Sequence, residues 1–310
     1  MFAVRFSEDG AFLASCESTL AGLRLESMNK WFRIFDYESG AQVWAWNDNT
    51  TARYSLADIK FSPDNTTFAT ADCYLIRLWD RASGREVLRL KFDESNIISS
   101  IAYSPDGKLL AAATYDGDVW ICPLTPPHWK TTTQPLDRPS ITSLWTQLTA
   151  TDNAPNAYRA IWTLAASPET VVPFLAERLA PVPKYPLERI RQLIADLDDD
   201  SFSRREAATR ELSTSGIQAE LLLGECLSTT PSPEVRRRVN SLLENLKPVK
   251  TWIVTDASLL RTLRAIRVLQ RIGNPEARAL LEKLAAGASH ARQTQEAKTA
   301  LKYLERLNKR

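Results

Sequence analysis

The sequence predicts a chain of two folded parts, with antiparallel β-strands in front and α-helices behind. A turn-and-strand pattern recurs in the first third of the chain, a proline-rich stretch follows it, and helical periodicity then takes over. The 310 residues are 44% hydrophobic and 25% charged, which is ample material for two cores. We therefore expect a multidomain protein of the β + α class.

The pattern in the front part occurs three times. In each copy an aromatic residue, a serine and a turn lead into a strand of small and apolar residues. Two of the turns contain proline and aspartate, which favour tight turns, and Gly10 and Gly107 accept a positive φ. The copies read FSEDGAFLASC at 6–16, FSPDNTTFATADC at 61–73 and YSPDGKLLAAATYDG at 103–117, and they continue into WFRIFD at 31–36, IRLWD at 76–80 and DVWICP at 118–123.

These copies predict eleven strands, and the third copy lacks a recognisable fourth strand. The copies are spaced by 55 and then 42 residues, and we interpret residues 18–30 as an insertion that lengthens the first spacing. The predicted strands lie near 2–6, 11–16, 31–36, 42–47, 57–61, 66–71, 74–80, 86–91, 98–103, 108–113 and 118–122.

The motifs F-S-P-D-G, I-R-L-W-D and S-G together resemble the WD40 repeat family, in which each repeat supplies four strands of a β-propeller blade. The resemblance implies a buried Asp–His–Ser/Thr–Trp hydrogen-bond network. In the second copy Trp79 fits the Trp position and is followed by Asp80, while Thr70 and Asp72 fit two other positions. The histidine has no counterpart there. Packing of an aromatic side chain beside a turn is the simpler role of Trp79.

The number of copies predicts an incomplete ring over residues 1–124. Propellers typically have about 4–8 blades, so about three blades cannot close a circle and leave sheets without neighbours. Either the chain is the C-terminal piece of a longer propeller protein, which we favour, or another chain supplies the missing blades.

Behind a Pro/Thr-rich linker at 125–139, residues 140–310 predict an all-α part built as a HEAT-like solenoid or bundle. The segments at 198–216 and 231–246 resemble HEAT-type repeats. With the blades, the whole arrangement resembles the C-terminal part of large bacterial WD40-repeat proteins. The predicted helices are 140–149, 153–166, 168–180, 186–197, 202–214, 216–228, 232–246, 256–272, 274–287 and 289–307.

The helix at 256–272 carries an apolar stripe at Leu259, Leu263, Ile266 and Leu269, which we expect to face the core. Arginines recur on the opposite side. The simpler interpretation is a solvated face. The alternative is a basic inner surface that receives an acidic partner, a phosphate-bearing ligand or nucleic acid. The candidate partner-binding arginines are Arg236, Arg237, Arg238, Arg261, Arg264, Arg267 and Arg271.

Enzymatic function is not supported by the residue pattern. Two histidines far apart in sequence give no triad or metal cluster, and no glycine-rich phosphate loop is present. We expect no catalytic residue, no cofactor and no metal. The net charge of +2 is too small to indicate nucleic acid as a partner. No apolar run is long enough to span a membrane, so we expect no membrane contact.

The sequence therefore predicts a non-enzymatic scaffold that presents propeller loops and a basic helical face to partner proteins. The alternative is a C-terminal regulatory or sensor module of a longer polypeptide whose catalytic or nucleic-acid-binding domain lies upstream. Four scattered cysteines without C-x-x-C spacing are typical of a reducing compartment, so we expect a cytoplasmic protein.

Overall fold

The structure is a computed structural model of the 310-residue chain. It describes residues 3–20, 28–48, 57–93, 95–125, 135–184, 186–214, 217–228, 232–246, 253–289 and 291–309.

The front part forms three antiparallel sheets, which we name blades. In the described residues, blades 1 and 2 have four strands each in sequence order, and blade 3 has three, in the order β11-β10-β9. Blade 1 contains β1 Ala3–Phe6, β2 Phe12–Leu20, β3 Met28–Asp36 and β4 Gln42–Asp48; blade 2 contains β5 Ala57–Phe61, β6 Thr67–Asp72, β7 Leu75–Asp80 and β8 Arg85–Lys91; blade 3 contains β9 Ile98–Tyr103, β10 Leu109–Thr114 and β11 Val119–Pro123.

The turns of the repeat have the chemistry that their residues predict. Gly10 and Gly107 have φ values of 72° and 64°, in the left-handed region that glycine favours. In blade 3, Asp106 accepts hydrogen bonds at 2.6 Å from the Ser104 hydroxyl and at 3.1 Å from the Lys108 amide. The serine and the aspartate of the motif therefore fix the turn between the first two strands.

The sequence predicts residues 18–30 as an insertion between strands, but several of them belong to the strands themselves. Part of this segment extends the hairpin of blade 1, because β2 continues to Leu20 and β3 begins at Met28, and these two residues are paired. Residues 21–27 lie outside the described residues. The additional residues thus extend β2 and β3 at the turn end of their hairpin.

All ten predicted helices are present, with ends shifted by a few residues. The linker residues 126–134 and Gly216, the first residue of the predicted helix 216–228, lie outside the described residues. The helices are α1 Arg138–Gln147, α2 Ala154–Ala165, α3 Pro168–Ala176, α4 Leu187–Asp196, α5 Phe202–Thr214, α6 Ile217–Ser228, α7 Pro233–Leu246, α8 Ala257–Ile272, α9 Pro275–Ala285 and α10 Arg292–Asn308. The predicted fold class, a partial propeller of about three blades followed by helices, is confirmed.

The chain divides into two compact units that cut across the predicted boundary at residue 140. Unit 1 comprises Met1–Leu179, Lys250–Leu281 and Lys298–Arg310, so helices from the back part join the blades. Unit 2 comprises Ala180–Val249 and Glu282–Ala297. Its apolar core comes from α4–α7, with Leu193, Leu212, Leu223 and Val239 among the buried side chains.

Helix α8 begins where Asp256 accepts a hydrogen bond from the Leu259 amide, and it ends at Gly273 in the left-handed conformation. Its side chains are buried without interruption from Leu263 to Gln270. The apolar stripe thus faces a core as predicted at Leu263, Ile266 and Leu269, but the opposite side of the helix is buried as well. A helix buried all round lies inside its unit.

Candidate functional site

The end of β7 combines an aromatic side chain, Trp79, with a buried acid, Asp80. The indole Nε1 of Trp79 donates a hydrogen bond to the Thr70 hydroxyl at 2.9 Å, across neighbouring strands of blade 2. Trp79 packs edge-on against Trp44 of blade 1, with ring centroids 5.2 Å apart. Asp72 is also buried. Two of the predicted WD positions, Thr70 and Trp79, therefore contact each other.

Asp80 is the centre of a buried ionic site. Arg264 Nη2 lies 3.0 Å from its Oδ2 and Arg267 Nη2 lies 2.8 Å from its Oδ1. The Ser83 hydroxyl donates a third hydrogen bond to Oδ2 at 2.7 Å. All three charged side chains are buried, and Arg264 is only 1% exposed. We call Asp80, Arg264 and Arg267 the Asp80 site.

The two arginines also donate hydrogen bonds to three backbone carbonyls. Arg264 Nη1 donates to Leu148 O at 2.8 Å and to Ala150 O at 2.7 Å, just past the end of α1. Arg267 Nη2 donates to Thr66 O at 2.7 Å in the turn of blade 2. The planar guanidinium group suits such a site because it offers five fixed donors. The Asp80 site therefore joins α8 to both α1 and blade 2.

Electrostatics keep Asp80 ionised despite its burial. Burial disfavours the charged form, but Arg267 and Arg264 together with Ser83 hold the pKa of Asp80 well below its ordinary value. Two cations and one anion leave the Asp80 site with a net charge of +1. The extra positive charge is partly shared with the α1 carbonyls, which carry the negative end of the helix dipole.

The location of Arg264 and Arg267 differs from the basic surface that their spacing predicts. A separation of three residues puts both side chains on one side of α8, and that side faces Asp80 instead of solvent. Helical periodicity identifies the polar side of a helix, but it does not tell whether water or a buried acid covers that side. The signal that we missed was Asp80 itself, since a buried carboxylate needs a cation.

The other candidate arginines have varied surroundings. Arg261 and Arg271 are half-buried, and their guanidinium groups lie over Trp145 and Trp162 at 4.8 and 3.9 Å from the ring centroids. In unit 2, Arg238 is buried and bonds Glu234 and Glu206, both at 2.7 Å. Only Arg236 and Arg237 among the seven are exposed.

The last helix touches the turns of all three blades. Arg306 lies 3.3 Å from Glu8 of blade 1 and donates to Pro63 O of blade 2 at 2.8 Å. The Tyr303 hydroxyl donates to Asp106 O of blade 3 at 2.9 Å. Sequence reasoning missed these contacts because nothing in the local pattern of α10 pairs it with the repeated turns.

The third strand of each blade carries two apolar residues on the face toward the next blade, which we call the forward face. In blades 1 and 2 these residues are fully covered, and in blade 3 Val119 and Ile121 are 64% and 60% exposed. The forward-face pairs are Phe32 and Ile34 in blade 1, Ile76 and Leu78 in blade 2, and Val119 and Ile121 in blade 3.

The first strand of each blade carries apolar residues on the opposite, backward face. Ile59 and Phe61 of blade 2 are buried against blade 1, and Ile101 of blade 3 is buried against blade 2. Val4 and Phe6 of blade 1 occupy the same repeat positions and are 54% and 56% exposed. The three-blade stack thus presents an apolar face at each end.

Other chemistry is sparse in the part of the chain that the structure describes. No group of three or more His, Cys, Asp or Glu side chains could hold a metal ion among those residues. Cys16 and Cys73 are buried, and Cys122 and Cys226 are half-buried. Within the same residues, every helix is too short or too polar to cross a lipid bilayer.

Comparison with known proteins identifies one repeat. Residues 84–122 match the family WD40, described as WD domain, G-beta repeat. Among solved structures, the chain is similar to the β-propeller domain of Cps50 (Swd1) from Myceliophteria thermophila, with a TM-score of 0.31 and 20% identity over 40% of this chain and 36% of that one. It is also similar to Hsv2 from Kluyvelomyces marxianus, with a TM-score of 0.26 and 14% identity over 40% and 35% of the two chains.

The chain spans only about a third of the length of these two structures. The matched residues 84–122 start beside β8, the fourth strand of blade 2, and run through β9 and β10 into β11 of blade 3. The WD40-type repeat in this chain is therefore offset from the blade by one strand, and it links two neighbouring blades.

Proposed function

We propose that the chain is a non-enzymatic protein–protein interaction scaffold whose binding surfaces are the two open blade faces. The observation that carries this proposal is the exposure of Val119 and Ile121 at one end of the stack and of Val4 and Phe6 at the other. Side chains at the same repeat positions are buried wherever a neighbouring blade is present. Contiguous apolar surface of this kind marks protein interaction sites.

The partner that fits an open blade face is another blade-like sheet. Three blades are fewer than the roughly 4–8 of a closed propeller, so both ends have room for further sheets. We propose that the missing blades come from another polypeptide or from further residues of a longer one. In either case the partner would bring apolar side chains to Val119 and Ile121, and the scaffold would bind it by face-to-face packing.

Exposed arginines of unit 2 provide a second surface in this proposal. Arg236 and Arg237 lie near the start of α7 and reach solvent, whereas Arg264 and Arg267 are occupied by Asp80. The basic helical face thus reduces to these two residues, which suit an acidic partner protein. We place the scaffold in the cytoplasm, in keeping with its four scattered cysteines without C-x-x-C spacing.

The open faces are tested with the full chain carrying Val119→Lys and Ile121→Lys together. Light scattering reports self-association, and affinity capture with mass spectrometry reports bound proteins. We expect the change to abolish association through the forward face. The matched control is Leu187→Lys with Phe202→Lys, which replaces two equally exposed apolar residues of α4 and α5. Equal binding by both variants would disprove the role of the blade face.

The basic surface is tested separately with Arg236→Glu and Arg237→Glu in the full chain. Binding of an acidic partner should weaken about tenfold or more at low salt and much less at high salt, because exposed charges are screened. Arg191→Glu and Arg210→Glu, at exposed positions on α4 and α5, serve as the control. Unchanged binding by the α7 variant would remove arginines from the proposal.

A second candidate function is a regulatory or sensor module within a longer polypeptide that carries its catalytic or nucleic-acid-binding domain upstream. The backward face at Val4 and Phe6 favours it, because in a propeller built in sequence order the blade that covers this face precedes blade 1. Reading the gene in frame upstream of Met1 tests it. Further F-S-P-D-G copies there would support this candidate, and their absence would favour a separate partner chain.

A further inference from the structure

Unit 1 contains a cavity of about 390 Å³ that the proposed binding surfaces do not include. It lies between the end of α8, the end of α10, helix α2 and the turns of blades 2 and 3. This volume falls in the range of small-molecule sites. Its lining includes Asp64, Asp106, Lys108, Trp162, Gln270, Arg271, Arg278, Tyr303 and Leu304.

Two polar side chains in this lining have hydrogen-bond donors without acceptors among the described residues. Gln270 is only 4% exposed, and its amide Nε2 has no partner there. The neighbouring Arg271 Nε is likewise buried and unpartnered. A buried donor without an acceptor costs free energy, so such groups are usually satisfied by a partner, a water or a ligand. Both unsatisfied groups are donors, which points to a ligand that accepts.

The charges in the lining favour an anion. Lys108, Arg271 and Arg278 contribute three positive charges. The two carboxylates of the lining are engaged by their own turns: Asp64 accepts from the Ser62 hydroxyl and the Thr66 amide and hydroxyl, and Asp106 accepts from the Ser104 hydroxyl and the Lys108 amide. The lining therefore holds a net charge of +1, together with free donors.

One wall of the cavity is apolar and preorganised. The Arg271 guanidinium is stacked 3.9 Å from the centroid of Trp162, and Ile272 and Leu304 also line the space. Arg278 Nε donates a hydrogen bond to Gly273 O at 2.9 Å, which holds the Arg278 guanidinium beside the turn after α8. Because apolar side chains lie next to the hydrogen-bond donors, a ligand that fills the cavity would combine an apolar body with an acceptor group.

We propose that this cavity binds a small organic oxyanion, a carboxylate or a phosphate ester with an apolar body. Gln270 and Arg271 donate hydrogen bonds to its oxygens, and Lys108 and Arg278 supply positive charge. The apolar body packs against Trp162 and Leu304. Because the lining joins α8 and α10 to the turns of two blades, the bound anion stabilises their attachment.

The test uses the full chain at constant ionic strength, with calorimetry and thermal unfolding as readouts. The probes are benzoate, phenyl phosphate and inorganic phosphate, and chloride is the reference. We expect saturable binding of at least one aromatic probe, with a melting temperature that rises with its concentration. Preference for benzoate assigns a carboxylate, and preference for phenyl phosphate assigns a phosphate ester. A response to none of the probes beyond that to chloride would overturn the proposal.

Two variants locate the bound probe. Gln270→Leu removes a donor and Lys108→Ala removes a charge, and each should weaken binding about tenfold or more. Lys108 is exposed, so this variant remains informative if Gln270→Leu unfolds. The matched control is Lys302→Ala, an exposed lysine of α10 outside the cavity. Equal affinity in Lys108→Ala and in the control would place the probe elsewhere and refute the site.

Discussion

Strands β7 and β11 occupy the same place in two copies of one repeat, but their surroundings are opposite. Five of the six residues of β7 are buried, whereas four of the five residues of β11 are exposed. β7 has a fourth strand beside it, a blade on each side and α8 at its end. β11 has only β10 as a strand neighbour among the described residues.

The last residues of the two strands differ even more in what they bind. β7 ends at Asp80, which binds two arginines, and β11 ends at Pro123, which has no charge to offer. In blade 1 the same position is Asp36, which accepts a hydrogen bond from the Ser39 amide of its own turn at 2.8 Å. The repeat sequence thus produces similar strands, but the residue at each repeat position and the elements packed around it determine its contacts.

Of the changes proposed here, Asp80→Ala is expected to give the largest loss of stability. It leaves two buried guanidinium groups without their counter-charge, so the free energy of unfolding should fall by about 3–5 kcal/mol. Urea unfolding followed by tryptophan fluorescence measures the loss. Asp36→Ala in blade 1 is the control and should cost about 1 kcal/mol or less. Similar losses for the two variants would mean that the arginines contribute no more than a local turn does.

Leu78→Ala and Ile121→Ala compare the forward faces directly. Leu78 packs between blades 2 and 3, so its truncation should cost about 2–5 kcal/mol. Ile121 is exposed, and its truncation should change the unfolding free energy by no more than about 0.5 kcal/mol. The same denaturation experiment measures both. A large loss for Ile121→Ala would show that another molecule covers blade 3 in solution.

Thr70→Val should have a smaller effect that is confined to blade 2. It removes the acceptor of the Trp79 indole while keeping the shape of the side chain, at a cost of about 1–3 kcal/mol. Thr142→Val on α1 removes an exposed hydroxyl that donates to Arg138 O, and it should be close to neutral. If both changes are neutral, the Thr70–Trp79 pair does not stabilise the blade.

Acid should reduce the stability that Asp80 contributes only below about pH 4. The folded-state pKa of Asp80 is depressed, so its contribution is complete above the unfolded pKa of about 3.9 and declines as pH falls toward the folded value. We expect the stability difference between the wild type and Asp80→Asn to be constant between about pH 5 and 8. It should shrink by about 1 kcal/mol at about pH 3. A difference that grows in acid would contradict the assigned charge state.

Much of the fold could be predicted because it depends on local chemistry. Alternating apolar residues between proline, aspartate and glycine turns located the strands, and helical periodicity located the helices, including α8, predicted at 256–272. The exposed residues of β11 also follow from the sequence, since a third blade without a successor leaves its forward face open.

The Asp80 site could not be predicted in the same way because its partners are remote. Arg264 lies 184 residues after Asp80, and an arginine on a helix looks alike in sequence whether it meets water or a carboxylate. The contacts of Tyr303 and Arg306 with the blade turns are equally remote. Only three-dimensional packing assigns these polar side chains their partners.

The distance along the chain between Asp80 and Arg264 has a consequence for biosynthesis. At a translation rate of about 5–20 residues per second, the 184 intervening residues take roughly 10–40 s to emerge from the ribosome. During that interval the carboxylate of the nascent second blade stays hydrated, and the docking groove for α8 is vacant. Blade 2 therefore reaches its final state only after Arg264 has been synthesised, long after its own four strands are complete.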